Sequence, residues 1–188
     1  YDISGGIEVI TGTHSYFNCY GGHTEQHDTP DPHTWSSVKN ARVMAANILT
    51  ALKDIDPENT AYYNANYERF VNRLDSLDAS FAARLNRAGK PSFIVWHPSL
   101  SYFARDYGLT QIVAGGAENK ETSVAAIREA IDKASGTGAK IFFYQKDIDN
   151  RHLETVNASI QATEVVINPL SPDWEAELIR TVDALTQQ

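Results

Sequence analysis

The spacing of hydrophobic residues changes near residue 90, and this change divides the chain into two parts. Before residue 90, apolar residues recur three or four positions apart, which is the period of a helix face. This pattern predicts a helix over residues 37–54 and a longer one, of roughly thirty residues, between Asp56 and Gly89. Asp56 can cap a helix and Gly89 can end one. A helix of about 45 Å is longer than a small lobe needs, so it serves either as a coiled-coil partner or as a strut between two lobes.

After residue 90, short apolar runs alternate with helical periods. The runs predict buried strands over residues 92–96, 111–113, 140–144 and 164–167, and the other periods predict helices over residues 100–107, 122–134, 150–160 and 172–185. This alternation indicates βαβ units, which build a parallel sheet with helices on both faces. The predicted fold class is therefore α/β, and in such sheets ligands bind beyond the carboxyl ends of the strands.

Residues 7–10 form a short apolar run that predicts a strand, and the polar stretch 11–34 that follows predicts a long loop. Loops of this length are usually functional or disordered. Imidazole and carboxylate side chains gathered in one loop suit a borderline metal such as zinc. The competing interpretation is a polar loop whose histidines occur there by chance. The loop histidines are His14, His23, His27 and His33.

His97 directly follows the predicted strand 93–96 and precedes Pro98. A polar residue at this position points into the crevice where α/β proteins bind ligands. Two other interpretations stay open, namely a histidine that is hydrogen-bonded in a turn and the general base of an α/β enzyme. The sequence contains no GxSxG, HExxH, P-loop or dinucleotide-type glycine motif, and this disfavours the enzyme.

Composition and charge narrow the classes of partner. The chain has 188 residues and a formal net charge of −8, which argues against nucleic acid as the main partner because phosphate binding needs an excess of Lys and Arg. The single cysteine, Cys19, excludes an intrachain disulfide. No apolar run approaches the roughly 18 residues of a membrane-spanning helix. The chain opens without an initiator Met or a signal peptide, so we expect it to be part of a longer protein.

Three motifs occur in order along the chain. Residues 31–35 have the sequence DPHTW, residues 56–78 begin with Asp-Pro and continue as the long helix, and residues 97–104 have the sequence HPSLSYFA. In this order and spacing they resemble the motifs of the zinc- and manganese-binding solute-binding proteins of ABC importers. The resemblance covers essentially the whole chain, and in that family the histidine of each short motif is a metal ligand.

The resemblance implies two α/β lobes joined by a rigid long helix, with the metal between them. On that template, residues 1–56 are a remnant of the N-terminal lobe with its His-rich loop, 57–90 are the linking helix and 91–188 are the C-terminal α/β lobe. The resemblance also implies extracytoplasmic capture of zinc and its delivery to the membrane permease of an ABC importer, without catalysis. The protein would then be periplasmic, or held outside the cytoplasm by a lipid anchor on a missing N-terminal part.

For the metal site, the resemblance implies His33 and His97 as two of the ligands. Asn168 stands where the family often has an acidic ligand, and an amide oxygen is a poorer zinc ligand than a carboxylate. Imidazole at position 97 favours zinc over manganese. A manganese-binding homologue and a surface adhesin are the alternatives within the same resemblance. The auxiliary metal-binding loop would comprise His14, His23 and His27.

Overall fold

The computed structural model describes residues 1–11, 30–115, 124–146 and 150–187. Within these ranges the helices are α1 (Val38–Ile55), α2 (Thr60–Arg87), α3 (Ser101–Tyr107), α4 (Val124–Thr137), α5 (Asn150–Ile160) and α6 (Trp174–Thr186), with 3-10 turns at Thr34–Ser36 and Pro57–Asn59. Both helices predicted before residue 90 are present. None of the described helices is both long enough and apolar enough to cross a membrane. The loop histidines His14, His23 and His27 lie outside the described residues.

The described residues form a sheet of four parallel strands, which are β1 (Ser92–Val95), β2 (Thr110–Val113), β3 (Ile141–Tyr144) and β4 (Thr163–Val166). The strand order is β2-β1-β3-β4. The chain therefore leaves β1 toward one edge of the sheet and later returns past it to β3. In open α/β sheets such a reversal marks the crevice where ligands bind, beyond the carboxyl ends of these two strands. The α/β fold predicted from the sequence is confirmed.

Each face of the sheet carries its own core, because alternate residues of a strand point to opposite faces. On one face, Phe93 and Val95 pack with apolar residues of α2, α3 and α6. On the other face, Ile94 and Phe142 pack with residues of α4 and α5. Because both faces are covered, nearly every strand residue near the centre is apolar, and this explains why the strands appear in the sequence as continuous apolar runs.

The long helix α2 has 28 residues and takes part in the main core. It packs against α1, and its second half contacts the sheet and α6. Two ion pairs, Arg73–Glu175 and Arg84–Asp183, join it to α6 at 2.6 Å each. The helix is therefore fastened to the part of the chain that carries His97. Its buried residues are Val71, Leu74, Leu77, Phe81 and Leu85.

Residues 7–10 do not form the strand that was predicted, so that prediction was wrong. The Ile10 N–H donates to the hydroxyl oxygen of Tyr102 (3.3 Å), and the Ile10 carbonyl oxygen accepts the N–H of Asp31 (2.8 Å). These bonds satisfy the backbone N–H and carbonyl groups of Ile10 without a neighbouring strand. An apolar run of four residues indicates burial of part of its surface, but it does not show that a strand partner exists.

Candidate metal site

The segment 31–36 is a tight turn that presents the His33 imidazole. Asp31 Oδ1 accepts the backbone N–H of His33 (2.9 Å), which is the side-chain turn that Asp favours. A 3-10 turn follows, in which the Ser36 N–H donates to the His33 carbonyl oxygen (3.0 Å). The Tyr102 hydroxyl donates to the Asp31 carbonyl oxygen (2.7 Å) and so attaches the start of the turn to α3.

His97 lies two residues beyond the carboxyl end of β1, at the position that its sequence context predicted. The Trp96 N–H donates to the Phe143 carbonyl oxygen (3.0 Å), so the chain is still paired with β3 immediately before His97. The Ser99 N–H then donates to the His97 carbonyl oxygen (2.7 Å) and turns the chain toward α3. A strand end and a tight turn therefore hold this imidazole on both sides.

The structure brings the two histidines together although 64 positions separate them in sequence. His33 Nε2 lies 3.1 Å from His97 Nε2, and the two rings meet edge to face with centroids 4.9 Å apart. Zinc binds imidazole nitrogen at about 2.0–2.1 Å with tetrahedral geometry, which places two such nitrogens about 3.3 Å apart. The observed spacing is close to that value, so the distance between the two nitrogens fits two ligands of one ion. Without an ion, the same spacing suits a hydrogen bond between the rings.

Asp31 determines which nitrogen of His33 is available to a metal. Its side chain is fully buried, and Oδ1 lies 2.7 Å from His33 Nδ1. Burial acts to raise the pKa of the Asp31 carboxyl group, but hydrogen bonds from the ring and backbone of His33 outweigh burial and hold this pKa below its usual value. An ionised carboxylate only accepts hydrogen bonds, so Nδ1 of His33 is the donor, and in the neutral ring Nε2 then presents its lone pair. This carboxylate–histidine arrangement is typical of metal-ligating histidines.

Asn168 lies two residues after β4 and is exposed. Its Oδ1 accepts the Leu170 N–H (3.2 Å), and its own backbone N–H donates to Glu177 Oε2 (3.1 Å). The amide oxygen is thus used in a local turn, and its role as a metal ligand stays a prediction. In the part of the chain that the structure describes, no group of three or more His, Cys, Asp or Glu side chains could hold a metal ion.

Trp35 and Trp174 help to position His33, although no role was predicted for either tryptophan from the sequence. The Trp35 ring meets the His33 ring edge to face, with centroids 5.4 Å apart. Trp35 Nε1–H donates to the Pro169 carbonyl oxygen (2.9 Å), and Trp174 Nε1–H donates to the Trp35 carbonyl oxygen (2.6 Å). Trp35 could have been selected from the DPHTW motif. Trp174 could not, because it lies 139 positions away and fits an ordinary amphipathic helix pattern.

A family model described as ZnuA, zinc-uptake complex component A periplasmic, matches residues 2–187. The chain belongs to this family. The family resemblance inferred from the three motifs is thereby confirmed, and the ZnuA family is one of metal-binding transport proteins, not of enzymes.

Two curated relatives are high-affinity zinc uptake system proteins ZnuA. The protein of Bacillus subtilis strain 168 is 29% identical over 141 residues, which cover 74% of this chain and 44% of that protein. The protein of Brucella abortus strain 2308 is 30% identical over 161 residues, which cover 81% of this chain and 48% of that protein. A crystal structure of a ZnuA protein superimposes with a TM-score of 0.84 at 28% identity, covering 99% of this chain and 68% of that one. The chain thus spans about half the length of the curated ZnuA relatives that it matches.

Proposed function

We propose that the protein captures zinc outside the cytoplasm and delivers it to an ABC importer, with His33 and His97 as two of the zinc ligands. The observation that carries this proposal is the 3.1 Å separation of the two Nε2 atoms, which is close to the spacing of two ligands on one tetrahedral ion. The hydrogen bond from His33 Nδ1 to Asp31 supports it, because in the neutral imidazole it leaves Nε2 as the nitrogen that can bind a metal.

The chemistry of the pair favours zinc as the cargo. Two neutral imidazoles suit zinc, whereas a carboxylate-rich site suits manganese. The Bacillus and Brucella relatives are both named for zinc uptake rather than for manganese binding or adhesion. The membrane permease that would receive the ion, and a lipid anchor that would hold the complete protein at the membrane, belong to this proposal as well.

The site would lie between two parts of the chain. We propose that residues 1–56 supply His33, that residues 91–188 supply His97, and that residues 57–90 join these parts. The Thr11–Pro30 backbone bridge lies next to the proposed site, because Pro30 directly precedes Asp31.

The test is zinc binding by the complete protein, as the cell makes it, after replacement of single histidines. We expect His33→Ala and His97→Ala each to weaken zinc binding by more than about 100-fold, since loss of a ligand costs more than loss of a group that only orients one. Affinity would be measured by competition with a chelator of known strength. The control is His152→Ala, in α5, which should bind as the wild type does. A double variant, His33→Ala with His97→Ala, that binds zinc as tightly as the wild type would show that the site is wrong.

A further inference from the structure

The turn that carries His33 is attached to the far end of the chain by two indole hydrogen bonds. Trp35 donates through Nε1–H to the carbonyl oxygen of Pro169, and its own carbonyl oxygen accepts Nε1–H of Trp174. The two bonds run in opposite directions between the same two segments. We name Trp35, Pro169 and Trp174 the tryptophan bridge.

The tryptophan bridge holds Trp35 at two of its polar groups, the indole nitrogen and the backbone carbonyl. The Trp35 ring in turn contacts the His33 ring, at 5.4 Å between centroids. Trp174 is the first residue of α6, where the Asp173 side chain accepts the Ala176 N–H. Its position is therefore set by a capped helix that packs on the sheet, and the bridge transmits that position to the turn with His33.

The contact between these segments is not completely filled. A cavity of about 20 Å³ lies within it, lined by Trp35, Ser36, Trp174 and neighbouring residues. The Ser36 Oγ is buried and has no hydrogen-bond partner among the described residues. The two indole hydrogen bonds therefore add direction to the packing of Trp174 against the main core.

The geometry points to Trp174 as a positioning residue for the ligand His33. It acts through Trp35 to keep His33 Nε2 at ligand spacing from His97, whose place is set by β1. This inference rests on the proposed function, because a positioning residue has meaning only if the His33–His97 pair binds zinc. It extends that function to a residue far outside the three motifs.

The experiment compares zinc binding by Trp174→Phe and wild type in the complete protein. Phenylalanine keeps an aromatic ring in the same place and removes the N–H donor. The loss of one net hydrogen bond sets the scale, so we expect zinc affinity to fall about threefold to tenfold, mainly through faster release. Release would be measured by stopped flow with excess chelator. Trp35→Phe, which removes the other N–H donor, should act in the same direction and serves if Trp174→Phe does not fold.

A matched control separates positioning from general destabilisation. Tyr107→Phe also removes one buried aromatic donor, since the Tyr107 hydroxyl donates to Asp78 Oδ1 on α2 (2.8 Å). It should lower the free energy of unfolding and leave zinc affinity unchanged. A double-mutant cycle gives a second readout, because Trp174→Phe should have no further effect on residual zinc affinity when His33 is already Ala.

The outcomes distinguish the two levels of the proposal. Suppose that His33→Ala abolishes tight zinc binding, while the zinc affinities of Trp174→Phe and Trp35→Phe stay within twofold of wild type. The tryptophan bridge then does not position the ligand, and only the inference about Trp174 is overturned. If His33→Ala leaves zinc binding intact, both the proposed site and this inference are overturned. Equal losses in Trp174→Phe and Tyr107→Phe would also overturn it, because a structural effect would then explain both.

Discussion

Asp31 and Trp35 hold His33 from two sides, the first through ring nitrogen Nδ1 and the second through an edge-to-face ring contact. The motif DPHTW thus contains a candidate ligand and both of its immediate supports within five residues. A motif so short can be found in a sequence because its members act on one another locally. His97 is placed by the end of β1 and by the tight turn that follows it.

At this scale we expect Asp31→Asn to weaken zinc binding about 10- to 100-fold while the protein stays folded. The amide can still accept a hydrogen bond through Oδ1, but it has no charge and no longer makes the imidazole more basic. Affinity would be measured by chelator competition. The matched control is Asp78→Asn, because that carboxylate accepts from Tyr107 and not from a histidine. An Asp31→Asn variant within twofold of wild type would contradict the role given to Asp31.

At the scale of elements, helices and strands were largely predictable, and their connections were not. The four strands were recognised because burial on both faces makes them apolar throughout. Their order, β2-β1-β3-β4, depends on which edge each crossover reaches, and no local pattern carries that information. Residues 7–10 were misassigned because side chains of α3 satisfy part of their backbone. Trp174 was missed because its bond to Trp35 joins two elements that are 139 positions apart.

An element end also offers a direct test of backbone strain. Gln161 follows the last residue of α5 with φ of 54°, and its N–H donates to the Asn157 carbonyl oxygen (2.7 Å). Glycine is favoured at this position because a Cβ is strained in the left-handed conformation. We expect Gln161→Gly to raise the free energy of unfolding by about 0.5–1 kcal/mol, measured by urea denaturation. Gln161→Ala is the control, since it keeps the Cβ and should bring no gain. If Gln161→Gly lowered the free energy of unfolding, the left-handed conformation of Gln161 would not be a source of strain.

At the scale of the whole molecule, the candidate site joins two parts of the chain that also meet elsewhere. His33 belongs to the turn before α1, whereas His97 belongs to the sheet. The same parts meet through the Tyr102–Asp31 hydrogen bond and through the tryptophan bridge. An ion bound by both histidines would add a cross-link between them that the unfolded chain cannot form. Zinc binding should therefore raise the free energy of unfolding of the entire fold.

We expect zinc to raise the free energy of unfolding of the complete protein by about 2.7 kcal/mol when free zinc is 100 times its dissociation constant. The increase follows because the ion binds the native pair and releases it on unfolding. It would be measured from urea unfolding curves with and without zinc at fixed pH.

The double variant His33→Ala with His97→Ala keeps the four other histidines of the chain, so it controls for zinc that binds loosely to any imidazole. Zinc should stabilise this variant little or not at all. Equal stabilisation of wild type and double variant would place the zinc elsewhere, whereas a gain confined to the wild type would tie the cross-link to these two side chains.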